Sequence, residues 1–256
     1  MIAPQVHVPY HRISEFLPFI KKNRINLEVY FSAHTLDALS YSEIESLRSE
    51  LDYNPSLTFH APFMDLSPGA VDDKIREITL KRFSDVFDIA AHLKPKVIVF
   101  HSGYEKWKYA LKVDLWLEKS ILTWKELVKR AEVLETKIAI ENVFEDDPEN
   151  LRLLMEAIAS ERFGVCFDTG HFNVFSKVTL KEWLRQIKQY LIELHLHDNS
   201  GQADDHLAIG EGNFDFPALF AELQNNRPVY TIESHTKEDA LKSIERLNTF
   251  YFPPAS

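Results

Sequence analysis

Val97-Ile98-Val99-Phe100-His101 is four apolar residues closed by an imidazole, and five further runs of the chain end in the same manner. They are Leu57-Thr58-Phe59-His60, Ile138-Ala139-Ile140-Glu141, Val165-Cys166-Phe167-Asp168, Ile192-Glu193-Leu194-His195 and Val229-Tyr230-Thr231-Ile232-Glu233. Successive endings lie roughly 25–40 residues apart, about the length of one strand–helix unit. If each run is a parallel strand, the six terminal side chains converge on one rim. Imidazoles and carboxylates without a thiolate partner suit zinc, manganese or iron.

Outward from these runs the alternation continues. Gln5–Val8 and Asn26–Tyr30 read as two more strands, which makes eight. Apolar residues recur at helical spacing over Val71–Leu93 and Leu115–Leu134. Shorter helices are expected at Ile13–Lys22, Ser42–Leu51, Pro148–Ala159, Thr179–Tyr190, Phe216–Leu223 and Lys237–Phe250. Ser42 before Glu45, Asp147 before Pro148 and Thr179 before Glu182 read as start signals. Strict alternation predicts an α/β fold, a single (β/α)8 TIM barrel spanning residues 1–256 as one domain. An open doubly wound sheet is the rival, but it has no reason to place ligands on six separate strands. Phe252-Pro253-Pro254 reads as a frayed end.

Composition narrows the function classes. Apolar content of 45% is ordinary for a globular chain and is enough for one large core. The apolar runs are far shorter than the ~20 residues of a bilayer span, which argues against a membrane protein. The N-terminus lacks a basic stretch followed by an apolar one, so no signal peptide is read. Cys166 is the only cysteine and forms no internal disulfide, which fits a cytoplasmic location. The net charge of −10 opposes polyphosphate, so duplex DNA is disfavoured as a substrate. A small sugar or phosphorylated molecule is expected instead. The sequence carries no signal of oligomeric state.

In a barrel of this kind chemistry sits at the carboxyl ends of the strands. Glu141, Asp168, His195 and Glu233 end four consecutive strands, and three carboxylates together need a compensating cation. His171, Asp204 and His206 form a second layer, and His60 and His101 occupy equivalent positions on adjacent strands. His7, His11, His34, His92 and His235 are read as ordinary satisfied polar residues.

The segments His60-Ala61-Pro62-Phe63, His101-Ser102-Gly103, Ile140-Glu141-Asn142, Phe167-Asp168-Thr169-Gly170-His171, His195-Leu196-His197-Asp198, Asp204-Asp205-His206 with Gly210-Glu211-Gly212, and Ile232-Glu233-Ser234 resemble the xylose isomerase-like barrel superfamily. As a set they are most similar to its endonuclease IV (AP endonuclease family 2) branch. The resemblance implies two or three divalent ions per chain, zinc first, with manganese or iron as alternatives. By resemblance His60, His101 and Glu141 hold one ion. Glu141 bridges to a second, completed by Asp168, His195 and Glu233, and His171, Asp204 and His206 hold a third. The isomerases and epimerases of the superfamily usually keep only Glu141, Asp168, His195 and Glu233, with the two glutamates as acid and base. Asp204 and His206 therefore separate the branches. Phe63 stands where DNA-acting members carry a tyrosine.

Around the metals, Phe63, Tyr104, Lys106, Trp107, Phe172 and His197 are the candidate substrate contacts, and Phe175 a further wall. His197 is either a substrate contact or an outer hydrogen-bond partner of a ligand. The expected activity is metal-assisted phosphoester hydrolysis on a small or single-stranded substrate. The alternative is sugar or sugar-phosphate isomerisation or epimerisation with Glu141 and Glu233 moving the proton around one metal.

Overall fold

The computed structural model describes residues 3–223 and 226–251. The tail beginning at Phe252, read above as a frayed end, lies outside the described residues. Eight parallel strands close in chain order: β1 (Gln5–Pro9), β2 (Asn26–Tyr30), β3 (Leu57–His60), β4 (Val97–His101), β5 (Lys137–Glu141), β6 (Phe163–Asp168), β7 (Leu191–Leu196) and β8 (Val229–Ile232). The expected TIM barrel is the fold observed. Glu233 stands one residue beyond β8.

Each strand has two faces, and neither meets solvent. Val6, Val8, Leu27, Val29, Phe59, Ile98, Phe100, Ile138, Ile140, Val165, Phe167, Leu194 and Ile232 are buried in the main hydrophobic core between strands and helices. Trp124 lies there fully buried, stacked on Phe83 with ring centroids 5.5 Å apart and edge-on to Phe100 at 5.4 Å. The opposite phase points into the barrel. Val97, Val99, Ala139 and Cys166 form a separate small apolar cluster there. The other side of the interior is polar: Gln5 donates to Thr58, Thr231 and Glu193, all buried.

Registers are not uniform around the ring. β1 and β2 share five residue pairs from Gln5↔Asn26 to Pro9↔Tyr30. β3 and β4 share Phe59↔Ile98 and His60↔Val99, and β8 meets β1 through Gln5↔Thr231 and Val6↔Ile232. A register shift between Val165 and Cys166 lets β7 accommodate one extra residue, which sets Glu193 and His195 to face inward.

The helices are α1 (Ile13–Asn23), α2 (Ala33–Ala38), α3 (Tyr41–Glu50), α4 (Asp73–Leu93), α5 (Val113–Leu134), α6 (Glu149–Ile158), α7 (Thr169–Phe175), α8 (Leu180–Ile187), α9 (Phe216–Leu223) and α10 (Lys237–Arg246). Two of them, α2 and α7, were not expected from periodicity; each is seven residues or shorter. The start of α3 is Ser40 rather than Ser42. Ser40 Oγ accepts from the Glu43 amide and Glu43 accepts from the Ser40 amide at 2.8 Å, so a reciprocal capping box satisfies two donors there. Thr179 caps α8 as expected, accepting from the Glu182 amide. The α10 pattern ends at Arg246 and passes into a wider π-type turn over Leu247–Tyr251. Among the described residues no helix is long and apolar enough to cross a membrane.

Candidate metal centre

The inward phase places one row of side chains at the carboxyl rim: His7, Tyr30, His60, His101, Glu141, Asp168, His195 and Glu233, one from each strand or its end. Glu141 is the hub. Its Oε2 lies 3.0 Å from His60 Nε2 and 3.4 Å from His101 Nε2, and its Oε1 lies 3.1 Å from His171 Nδ1. On the far side, His195 Nδ1 faces Glu233 Oε1 at 3.1 Å, Glu141 Oε1 at 3.6 Å and Asp168 Oδ2 at 3.8 Å. His195 is fully buried, yet Nδ1 makes no hydrogen bond. Without a cation that nitrogen carries a proton, and an imidazole nitrogen surrounded by three carboxylate oxygens is a donor set for a cation that displaces it.

The loop after β7 adds the outer group. Asp198 and Leu207 bond reciprocally through their backbones at 2.9 and 2.8 Å, pinching residues 199–206 into a closed loop. The Asp198 carboxylate accepts from the amides of Asn199, Gly210 and Phe214, which ties that loop to the Gly210-Glu211-Gly212 segment. His206 sits in the left-handed region at φ 51°, a conformation costly for histidine, and its ring reaches the site. Its Nε2 is 3.1 Å from Glu233 Oε2. Asp204 Oδ2 is 3.4 Å from His171 Nε2 and 3.6 Å from His206 Nδ1. His60 with His101 and Glu141, and Glu141 with Asp168 and His171, each bring their donor atoms close enough to share one ion.

The charges of the site are mutually dependent. Burial pushes Glu141 and Glu233 toward the neutral form, but neighbouring histidines, His101 and then His195 for Glu141 and His195 first for Glu233, hold both carboxyls well below the usual range. Burial lowers His206, yet its bond to Glu233 raises it to about 9. His171 and His195 are raised well above 6.5 by their carboxylate neighbours against burial. A divalent cation binding here displaces those protons and takes over their compensating role.

All nine sequence-expected ligand positions gather at one end of the barrel. Three residues that sequence reasoning missed join them. His7, set aside as an ordinary polar residue, lines the cavity beside Glu233 and pairs with Glu28 beneath it. Glu28 and Glu193 lie fully buried one level below the rim. Their signal was the period of two: Glu28 is two residues before Tyr30 and Glu193 two before His195, so both face inward.

Above the cluster opens a cavity of about 780 Å³. Its upper wall is apolar, with Phe63, Met64, Leu66, Val143, Phe144 and Phe175, and Arg12 and Lys108 stand at its edge. Phe63 stacks on His101 at 4.2 Å, and Tyr104 also faces the cavity. Three expected substrate contacts stand outside this lining. Lys106 turns to pair with Asp146, Trp107 is 75% exposed, and Phe172 packs beneath the loop against Phe167, Trp183 and Phe214. The mixed aromatic and basic loop over 104–109 was legible, but not which of its side chains point inward. His197 is also sealed off. Its Nε2 meets Asp168 Oδ2 at 3.1 Å and its ring stacks on His206 at 4.0 Å, so it is the outer partner of a ligand. Gly170 makes room for it, since a Cβ there would overlap the His197 ring.

A family profile described as a xylose isomerase-like TIM barrel matches residues 26–250. The chain belongs to that family. Among curated relatives, the uncharacterized protein MJ1311 of Methanocaldococcus jannaschii is 32% identical over 226 residues, covering 85% of this chain and 76% of that protein. Among solved xylose isomerase-like barrels, a D-tagatose 3-epimerase-like protein is 29% identical with a TM-score of 0.83, covering 96% of both chains. The TTHB071 protein of Thermus thermophilus, solved after soaking with zinc chloride, is 27% identical with a TM-score of 0.82 over the full length of both.

Proposed function

We propose that this chain is a divalent-metal-dependent sugar epimerase or isomerase. What carries the reading is the likeness of the whole barrel to the D-tagatose 3-epimerase-like structure, joined to Glu141, Asp168 and Glu233 gathered around His195 Nδ1, the four residues that the resemblance assigns to the one-ion site of sugar-converting members. Endonuclease-like hydrolysis, the first expectation from the motifs, has no such support from the similar structures.

Glu141, Asp168, His195 and Glu233 would hold the cation, zinc or manganese by donor type. When bound, it supplies Lewis acidity toward a carbonyl oxygen and its neighbouring hydroxyl. The glutamates do the proton work. One carboxylate removes the proton from the carbon beside the carbonyl, and the C–H electron pair passes into the carbonyl to give an enediolate. The other glutamate, entering the cycle as the carboxylic acid, gives its proton to the opposite face for epimerisation or to the adjacent carbon for isomerisation, and both groups exchange protons with solvent before the next turnover. Both Glu141 and Glu233 line the cavity while flanking His195, which supports these roles. Phe63, Phe144 and Phe175 exclude water above the reacting carbons and take the rest of the substrate.

One observation favours a second reading. Asp204 stands between His171 and His206 within 3.6 Å of both, an arrangement able to hold a further ion for phosphoester hydrolysis. The test is a panel of ketohexoses, aldoses and phosphoesters with zinc- or manganese-loaded protein in deuterated water. Deuterium entering a carbon beside the carbonyl supports the proposal. Turnover of phosphoesters alone refutes it.

A further inference from the structure

His7 and Glu28 face each other across β1 and β2 as registered partners. Glu28 is wholly buried and divides its carboxylate between two histidines. Oε1 lies 2.8 Å from His7 Nδ1 and Oε2 lies 3.3 Å from His195 Nε2. His7 Nδ1 is also 3.3 Å from Glu233 Oε1. A ring nitrogen between two carboxylate oxygens must carry the hydrogen, because a lone pair there would meet only negative charge. His7 is therefore a donor at Nδ1. Among the described residues nothing hydrogen-bonds its Nε2, and His7 borders the cavity, 19% exposed at the side chain. The ring is fixed further by stacking on Tyr30 at 5.9 Å and by the edge of His60 at 5.6 Å.

We propose that His7 is a substrate-contacting residue: Glu28 and Glu233 fix its ring through Nδ1–H, and Nε2, which borders the cavity with no partner among the described residues, hydrogen-bonds a hydroxyl group of a polyhydroxylated substrate. This rests on the sugar-converting reading above. The placement beside Glu233 puts that hydroxyl next to the carbon whose proton moves, so His7 selects the configuration at the neighbouring carbon. Glu28 is a positioning residue, and it positions the metal-side His195 through its other oxygen. It thereby ties the orientation of a substrate contact to that of a ligand.

The experiment uses the zinc-loaded protein with ¹⁵N-labelled histidine and nuclear magnetic resonance of the ring nitrogens. The probes are D-fructose, D-tagatose and D-psicose, with calorimetry as an independent report of binding. The expected result is a protonated Nδ1 on His7, with the Nε2 signal shifting when a ketohexose binds. Glu28→Gln should weaken the bond at Nδ1 and shift that resonance. His7→Phe should keep its zinc and bind the ketohexose about ten-fold more weakly, the loss expected for one buried hydrogen bond. Four outcomes overturn the proposal. An unprotonated Nδ1 is one, and a zinc-coordinated His7 ring is another. A ketohexose that binds without moving the His7 signals is the third, and it leaves the sugar-converting reading standing. If no sugar binds or turns over, the reading of the function falls and the proposal falls with it.

Discussion

Replacing Glu193 by glutamine should remove a large part of the pH dependence of the metal-free barrel's stability. Glu193 is fully buried at the level of Gln5, Thr58 and Thr231, which all donate to its Oε1, while Oε2 has no partner. Burial first, and then the charge of Glu28, push its carboxyl from 4.5 to about 8. Burial also opposes ionisation of Glu28, but the charge of His195 and bonds from His195 and His7 hold that group down at about 2. In neutral solution the pair thus carries one negative charge. The folded chain keeps a proton on Glu193 that the unfolded chain has already lost above about pH 4.5. Its favourable contribution is complete below that pH and is lost as pH rises through about 8. At about 1.4 kcal/mol per unit, the full window amounts to roughly 5 kcal/mol. The contribution of Glu28 has the opposite sign and is lost as pH falls toward about 2, below this window. A glutamine keeps the oxygen that Gln5, Thr58 and Thr231 bond and cannot ionise. Urea unfolding in the presence of a chelator, from pH 5 to 8.5, measures the difference between variant and wild type. That difference should move in favour of the variant by several kcal/mol as pH rises. A difference that stays flat to within about 1 kcal/mol refutes the buried neutral carboxyl.

Glu141→Gln should lower metal content and abolish turnover, because a neutral amide cannot replace a charge shared among His60, His101 and His171; elemental analysis with an activity assay checks both. The double change Asp204→Ala with His206→Ala should raise KM for a sugar more than it lowers kcat, leaving the ion at His195 in place. Loss of one metal together with phosphoesterase turnover would instead favour the hydrolytic reading. Gly170→Ala should destabilise the protein by about 1–3 kcal/mol, since its methyl meets the His197 ring in a packed interior, and should weaken metal affinity through Asp168. Thermal unfolding with and without zinc separates the two effects. Trp124→Ala should cost about 3–5 kcal/mol by opening a cavity against Phe83 and Phe100 without altering metal content.

Much of this was readable before any coordinates. A run such as Val97–His101 announces a buried parallel strand because both its faces are covered, and its terminal polar residue announces the rim. Six of the expected ligand positions followed from that rule, and His171, Asp204 and His206 from the family resemblance. Glu28 and Glu193 were not read because polar residues inside an apolar strand normally face water, and only barrel closure removes water from both faces. His7 was set aside because a lone histidine is usually structural; its partners come from β2 and β8, far away in sequence. Lys106 and Trp107 failed as contacts because a turn can aim adjacent side chains in any direction, and Asp146 offered Lys106 a nearer charge. The choice between chemistries was weighted toward hydrolysis by counting ligand types, which says nothing about which donors remain unpaired.

The uneven register has a consequence for how the barrel breathes. The two-pair seams at β3/β4 and β8/β1 divide the ring into a flap of three strands and a body of five. Few ladder bonds resist parting along those lines, so amide exchange in β1–β3 should report a sub-global opening distinct from complete unfolding. Both seams are crossed by the site itself: His60 reaches Glu141 over one, and His7 and Glu28 reach Glu233 and His195 over the other. A cation seated between these groups would act as a rivet through the two hinge lines, and loading the protein should slow the exchange of the flap before it alters that of the body.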